Sequence, residues 1–132
     1  MSAALPVRFL DRFFDLHVMN AAQHAVDGAL TGDPIKRRDG QAMAEEKLAR
    51  AYGWLEAHLA DQTWAAGTDF TLADCAAAPA RFYADWTYRI ADTFPNLRAY
   101  RTRLLARPSF ARAVDDARVY RPLFPLGAPD RD

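Results

Sequence analysis

The sequence holds one cysteine, Cys75, and three histidines, His17, His24 and His58. A single cysteine closes no internal disulfide, and Cys75 with scattered histidines supplies too few ligands for a metal cluster. Excess charge is missing as well, since seventeen basic and seventeen acidic residues cancel. A protein built around nucleic acid or an anionic membrane carries a basic surplus, so neither partner is expected. Long apolar runs are absent near the start. The longest uncharged stretch there, LHVMNAAQHAV, falls far short of a membrane span. The opening MSAALPVRFLDRFF is interrupted by Arg8, Asp11 and Arg12 and lacks a signal-peptide core. These absences point to a soluble, cytoplasmic chain in a reducing compartment. No glycine-rich phosphate loop, Ser-His-Asp spacing or paired-carboxylate motif is present, so no catalytic residue is assigned.

What the chain does have is apolar mass with helical spacing. Hydrophobic residues make up 51% of the 132 positions and aromatics 12%, enough for one domain with a real core. Strand-like alternation is missing and β-branched residues are few, so an all-α fold of five to six helices is expected. The first helix spans about Pro6 to Gly28 and carries two apolar lines. Leu10, Phe14, Val18 and Ala21 form one, and Phe9, Phe13 and Leu16 the other. A surface helix needs only one, so the second predicts contact with another domain or subunit. LTGDPIKRRDG reads as turn chemistry. A second helix, about Gln41 to Ala60, has a single stripe of Ala44, Leu48, Ala51, Tyr52, Leu55 and Leu59. DQTWAAGTDF then connects onward, with Trp64 as its anchor. Pro95 and Pro108 open two later helices. The proline-rich end, residues 121–132, is expected to be extended and partly frayed.

FTLADCAAAP, residues 70–79, raises a sharper question because the lone thiol sits beside a carboxylate. Thr71 suits an N-cap, and Asp74, three residues on, suits the reciprocal arm of a capping box. Phe70 and Cys75 then occupy the positions of a hydrophobic staple, which predicts a small buried thiol. The charge of Asp74 opposes thiolate formation, so the nucleophile reading is the weaker one. Pro79 falls inside this third helix and predicts a kink.

DRFFDLHVMNAAQ, FTLADCAAAPARFYADW and FPNLRAYRTRLLARPSFARAV, in that order, resemble the C-terminal helical domain of cytosolic glutathione transferases. The resemblance covers about Val7 to Tyr120. It implies residues 1–8 as an N-terminal segment or linker remnant, 9–120 as the helical domain, and 121–132 as a tail. In that family a thioredoxin-like domain precedes the helical one and activates glutathione, and no βαβ pattern precedes Phe9 here. The resemblance therefore implies no cofactor on this chain, with glutathione as co-substrate only where a thioredoxin-like domain or partner chain is present. It also implies an acceptor-substrate wall for a small hydrophobic ligand, and a homodimer through the first helices. A stand-alone interaction module without chemistry is the alternative.

Candidate site residues fall into two groups. His17, Asn20 and His24 stand at i, i+3 and i+7 and share a helix face. They read either as a polar lining of a substrate cleft or as a polar seam at the surface. Phe13, Met19, Tyr83 and Trp86 read as ordinary core by their spacing, and as a substrate wall only through the resemblance. Two histidines seven apart lack a third strong ligand, so no metal site is expected. His58 reads as a favourable cation at a helix C-terminus. Arg98, Arg101, Arg103, Arg107, Arg112, Arg118 and Arg121 read as a solvated surface.

Overall fold

The line Leu10, Phe14, Val18 and Ala21 is buried to 2% exposure or less, and it sets one face of the first helical rod into the core. The structure is a computed structural model and describes residues 3–132, so Met1 and Ser2 lie outside it. The rod is unbroken from α1 (Ala4–Phe13) through a π-helical segment (Phe14–Met19) to α2 (Asn20–Leu30). The wider π winding re-phases the side chains that follow it. Helix begins two residues before Pro6, and Val7 packs against the core.

α3 (Pro34–His58) returns antiparallel along α2, and here the expected turn is corrected. Only Thr31 to Asp33 reverses the chain, with Gly32 at φ +72°. Asp33 caps α3 by accepting the Ile35 N–H at 2.8 Å, and Pro34 takes the first helical position. Residues 34–40, expected as turn, are helical. Gly40 is no breaker because its place is a helix crossing. A Cβ there would lie 2.4 Å from the His24 carbonyl oxygen, and one on Gly28 would lie 2.5 Å from that of Lys36. The absent side chains let the two backbones touch. The stripe of Ala44, Leu48, Ala51, Tyr52, Leu55 and Leu59 is buried as its period requires.

α4 (Leu72–Thr87) runs through the middle of the bundle. Its capping box is formed, with the Thr71 N–H donating to Asp74 Oδ2 at 2.9 Å. Pro79 lies within α4 without ending it. Two faces of this helix are buried: Ala73, Ala77, Ala80 and Ala84 form one line, and Asp74, Ala78, Arg81 and Asp85 the other. Leu72, Cys75 and Pro79 share the remaining outward strip. Cys75 is therefore exposed rather than a buried staple residue. Phe70 instead turns its ring to Trp64, at 5.2 Å and edge-on, and under the Arg107 guanidinium at 3.5 Å.

α5 (Pro95–Ala106) is capped from α3: the Glu56 carboxylate accepts the N–H groups of Asn96 and Leu97 at 3.0 and 2.8 Å. α6 (Pro108–Ala117) follows, then a 3-10 turn (Arg118–Leu123). With α1, the π segment and α2 counted as one rod, the molecule is a five-helix, all-α bundle. No strand occurs among the described residues, only one isolated bridge between Trp64 and Gly67. The tail is not frayed. Arg131 donates to the Asp85 carbonyl at 2.9 Å, and Asp132 takes hydrogen bonds from Arg118 and Arg121. Those two arginines hold the Asp132 carboxylate down at about 2.

Candidate functional site

Helical spacing from three elements builds an apolar groove. Met19, Ala22, Gln23 and Val26 lie on one face of the first rod, and Pro79, Phe82, Tyr83 and Trp86 on one face of α4. α6 adds Phe110, Ala113, Val114 and Ala117, and the chain end closes the far side with Tyr120, Arg121, Leu123, Phe124 and Pro125. The space is about 600 Å³, within the range of sites for small organic molecules. Its walls are held by ring contacts. Phe82 lies 4.7 Å from Trp86, and Phe124 from the tail sits 5.4 Å from Trp86 and 5.8 Å from Tyr83. The Arg121 guanidinium lies 5.1 Å above the Trp86 ring. Thr87 commits its hydroxyl to the Tyr83 carbonyl at 2.9 Å. Behind Trp86 a shallower pocket of about 480 Å³ is lined by Pro34, Arg37, Arg38, Gln41, Thr87 and Leu126.

Comparison with known proteins bears on this architecture. The profile of the family described as "Glutathione S-transferase, C-terminal domain" matches residues 19–108. The chain belongs to this glutathione S-transferase C-terminal domain family. A curated relative, a glutathione S-transferase from Hyoscyamus muticus, is 36% identical over 81 residues. That match covers 58% of this chain and 38% of the relative, so the chain spans well under half of the relative's length. No solved structure matches.

On this glutathione S-transferase C-terminal domain, the expected site residues separate into two sets. Met19, Tyr83 and Trp86 come together as groove lining. Phe13, His17, Asn20 and His24 do not line it. The groove residues Met19, Ala22 and Val26 keep the i, i+3, i+7 spacing of His17, Asn20 and His24 but are displaced by two positions, about 200° around a helix. Phe13 and His17 instead join a cluster on the other side, where Phe13 meets His17 at 5.0 Å and Trp54 at 4.6 Å. Phe9 closes on Trp54 at 5.9 Å, and His58 stacks on Trp54 at 4.9 Å. His58 also binds the Ala65 carbonyl through Nε2 at 2.7 Å, which gives it a local partner besides the helix end. Asn20 is exposed, and His24 is half-buried where its carbonyl faces Gly40.

Beneath the groove runs a polar line that the sequence reading missed. Arg81 is fully buried, donates to the Leu97 carbonyl, and lies 4.5 Å over the Tyr100 ring. Burial pulls its guanidinium down to about 10. Asp85 accepts the Ile90 N–H at 2.8 Å and faces Arg101 and Arg131. Burial pushes the Tyr52 and Tyr100 hydroxyls up, so both stay protonated. The arginines expected on a solvated surface are partly clamps: Arg101 and Arg121 have side chains 14% and 18% exposed, and Arg107 covers Phe70. Among the described residues no group of three or more His, Cys, Asp or Glu is placed to hold a metal. No helix among them is long and apolar enough to cross a membrane.

Proposed function

We propose that this chain is the helical half of a glutathione transferase, supplying the wall against which an apolar acceptor lies and the contacts for dimerisation. The groove between the first rod, α4 and α6 carries this reading. It is walled by aromatic and aliphatic side chains, as a site for an apolar electrophile must be. The chain adds proximity and desolvation to the conjugation. Activation of the glutathione thiol belongs to a thioredoxin-like domain or partner chain. The bare apolar face of the first rod, with Leu5, Phe9 and Leu16 at 64%, 55% and 54% exposure, supports a further surface to be covered there.

The reading separates binding from chemistry, and the test does the same. With glutathione and a chlorinated nitroaromatic acceptor, the purified 132-residue chain should show no conjugation above the uncatalysed rate. The same acceptor should quench its tryptophan fluorescence saturably, and Trp86→Phe should remove most of that quenching. Turnover by the chain alone would refute the division of labour. Unsaturable quenching, insensitive to Trp86→Phe, would leave a stand-alone interaction module as the better account.

A further inference from the structure

The far wall of the groove is the chain end, and it is attached unlike the helices that form the rest. Residues 118–123 leave α6 as the 3-10 turn, and the chain then reverses in a turn closed by the Gly127 N–H on the Phe124 carbonyl at 2.9 Å. Among the described residues no backbone–backbone hydrogen bond joins residues 124–132 to the five helices. Asp132 holds the segment in a loop of its own, taking Arg118 Nη1 and Nη2 at 2.9 and 2.6 Å and pairing with Arg121. Phe124, half-buried against Tyr83 and Trp86, is the apolar part of the attachment. Two polar contacts complete it. Arg131 donates to the Asp85 carbonyl at 2.9 Å and lies 3.3 Å from the carboxylate. On α5, Arg101 Nη1 donates to the Asp132 carbonyl at 3.0 Å. Parting them strands no buried charge. Asp85, though buried, keeps the Ile90 N–H at 2.8 Å and Arg101 at 3.7 Å, and Asp132 keeps Arg118 and Arg121, which move with it. Arg131, with its side chain 40% exposed, passes to water. An ion pair this exposed holds weakly, whereas one that left a buried carboxylate alone would hold firmly.

We infer that residues 118–132 are a strap over the groove, hinged where α6 passes into the 3-10 turn and latched by Arg131 on Asp85 and Asp132 on Arg101. Closed, the strap sets Phe124 against Tyr83 and Trp86 and completes the groove. Open, it lifts Phe124 away and bares that face of α4 to water. The latch is made of charge, so salt loosens it. An apolar molecule in the groove tightens it by packing on Phe124. This deepens the proposed function by adding control of access to the groove. The gate rests on that reading, and the latch does not.

The Trp86 indole N–H reports on the latch without any ligand. Its nitrogen is buried, and Arg121 and Phe124 of the strap stand against the ring. Its exchange with water is read by NMR on the 132-residue chain, with the signal assigned by its loss in Trp86→Phe. Raising sodium chloride from about 0.01 M to about 1 M shortens the screening length from about 30 Å to about 3 Å. Exchange at Trp86, taken relative to Trp54, should then quicken about threefold, the size of one exposed ion pair. Arg131→Gln should give the same gain at low salt and remove most of the further response. Arg112→Gln, an equal loss of charge on an exposed turn of α6, should do neither. The dissociation rate of N-phenylnaphthylamine, a neutral apolar probe, reads the gate and should rise by the same factor in Arg131→Gln. Exchange that ignores both salt and Arg131→Gln overturns the latch and makes the tail a fixed wall. Exchange that responds while probe dissociation does not overturns the gate and leaves the groove standing as a ligand wall. If the probe shows no saturable binding, the proposed function fails and the gate falls with it.

Discussion

Asp74 accepts hydrogen bonds from four donors, the N–H and the hydroxyl of Thr71, the N–H of Ala65 and the hydroxyl of Tyr100, and its side chain is fully buried. Only the two from Thr71 are local. The capping box is legible in the sequence because its two residues are three apart, but Ala65 and Tyr100 approach from other elements and leave no trace in the spacing. Arg81 is similar. Its buried place is set by the line Asp74, Ala78, Arg81, Asp85, whose i, i+4, i+7, i+11 period among alanines is the signal that was available. The same periodicity explains Cys75, which falls with Leu72 and Pro79 on the strip facing out. Thr71→Ala should cost about 1 kcal/mol, the usual value of a cap. Tyr100→Phe should cost about as much, since Asp74 keeps its donors on Thr71 and Ala65. Asp74→Ala strands two buried N–H groups and a hydroxyl, and should cost roughly 3 kcal/mol or more. Urea midpoints measure all three. If Asp74→Ala is no worse than Thr71→Ala, Asp74 is a helix cap and nothing else.

α3 contains two glycines in opposite circumstances, and the comparison isolates what the α2–α3 hairpin depends on. Gly53 is exposed, and a Cβ there would meet nothing within 4 Å. Gly40 faces the His24 carbonyl, which a Cβ would meet at 2.4 Å. Intrinsic propensity favours alanine over glycine by roughly 1 kcal/mol at either place. Gly53→Ala should therefore stabilise by about 0.5–1 kcal/mol. At Gly40 the contact is with backbone, which cannot turn aside, so the hairpin must open and the sign reverses to a loss of about 2 kcal/mol. Thermal unfolding of the two variants decides it, and stabilisation by both would show the crossing to be looser than described. From sequence alone Gly40 reads as a breaker at the end of a basic run, because propensity contains no term for a neighbouring helix. Asp33-Pro34 has the same ambiguity, since it suits a turn and a helix start equally. The tail adds a third case. Phe124 and Arg131 find their partners on α4, some forty residues back, where no local pattern points.

At the scale of the molecule, two of the apolar surfaces among the described residues bear on function. The groove is concave and lined from three elements. Outside the groove the first rod leaves Leu5, Phe9 and Leu16 exposed, with Phe13 set against the Trp54 ring. Both apolar lines of the first rod are legible in the sequence. Which one enters the core is not, because each is equally apolar and the choice is made by where α3 and α4 close. Exposed apolar side chains that line no pocket suit a protein partner rather than a small molecule, and a second copy of the chain is the partner the family resemblance suggests. Leu16 is the position to test, because at 54% exposure it is not in the core cluster. Leu16→Lys should shift the monomer–dimer equilibrium toward monomer by about tenfold or more, as an unpaired charge in an apolar interface does. It should leave the unfolding temperature of the monomer and the binding of groove ligands unchanged. Sedimentation velocity over a concentration series reads the first effect directly. If the parent chain and Leu16→Lys sediment identically at every concentration, the face does not join two copies, and a domain of another fold is what it meets.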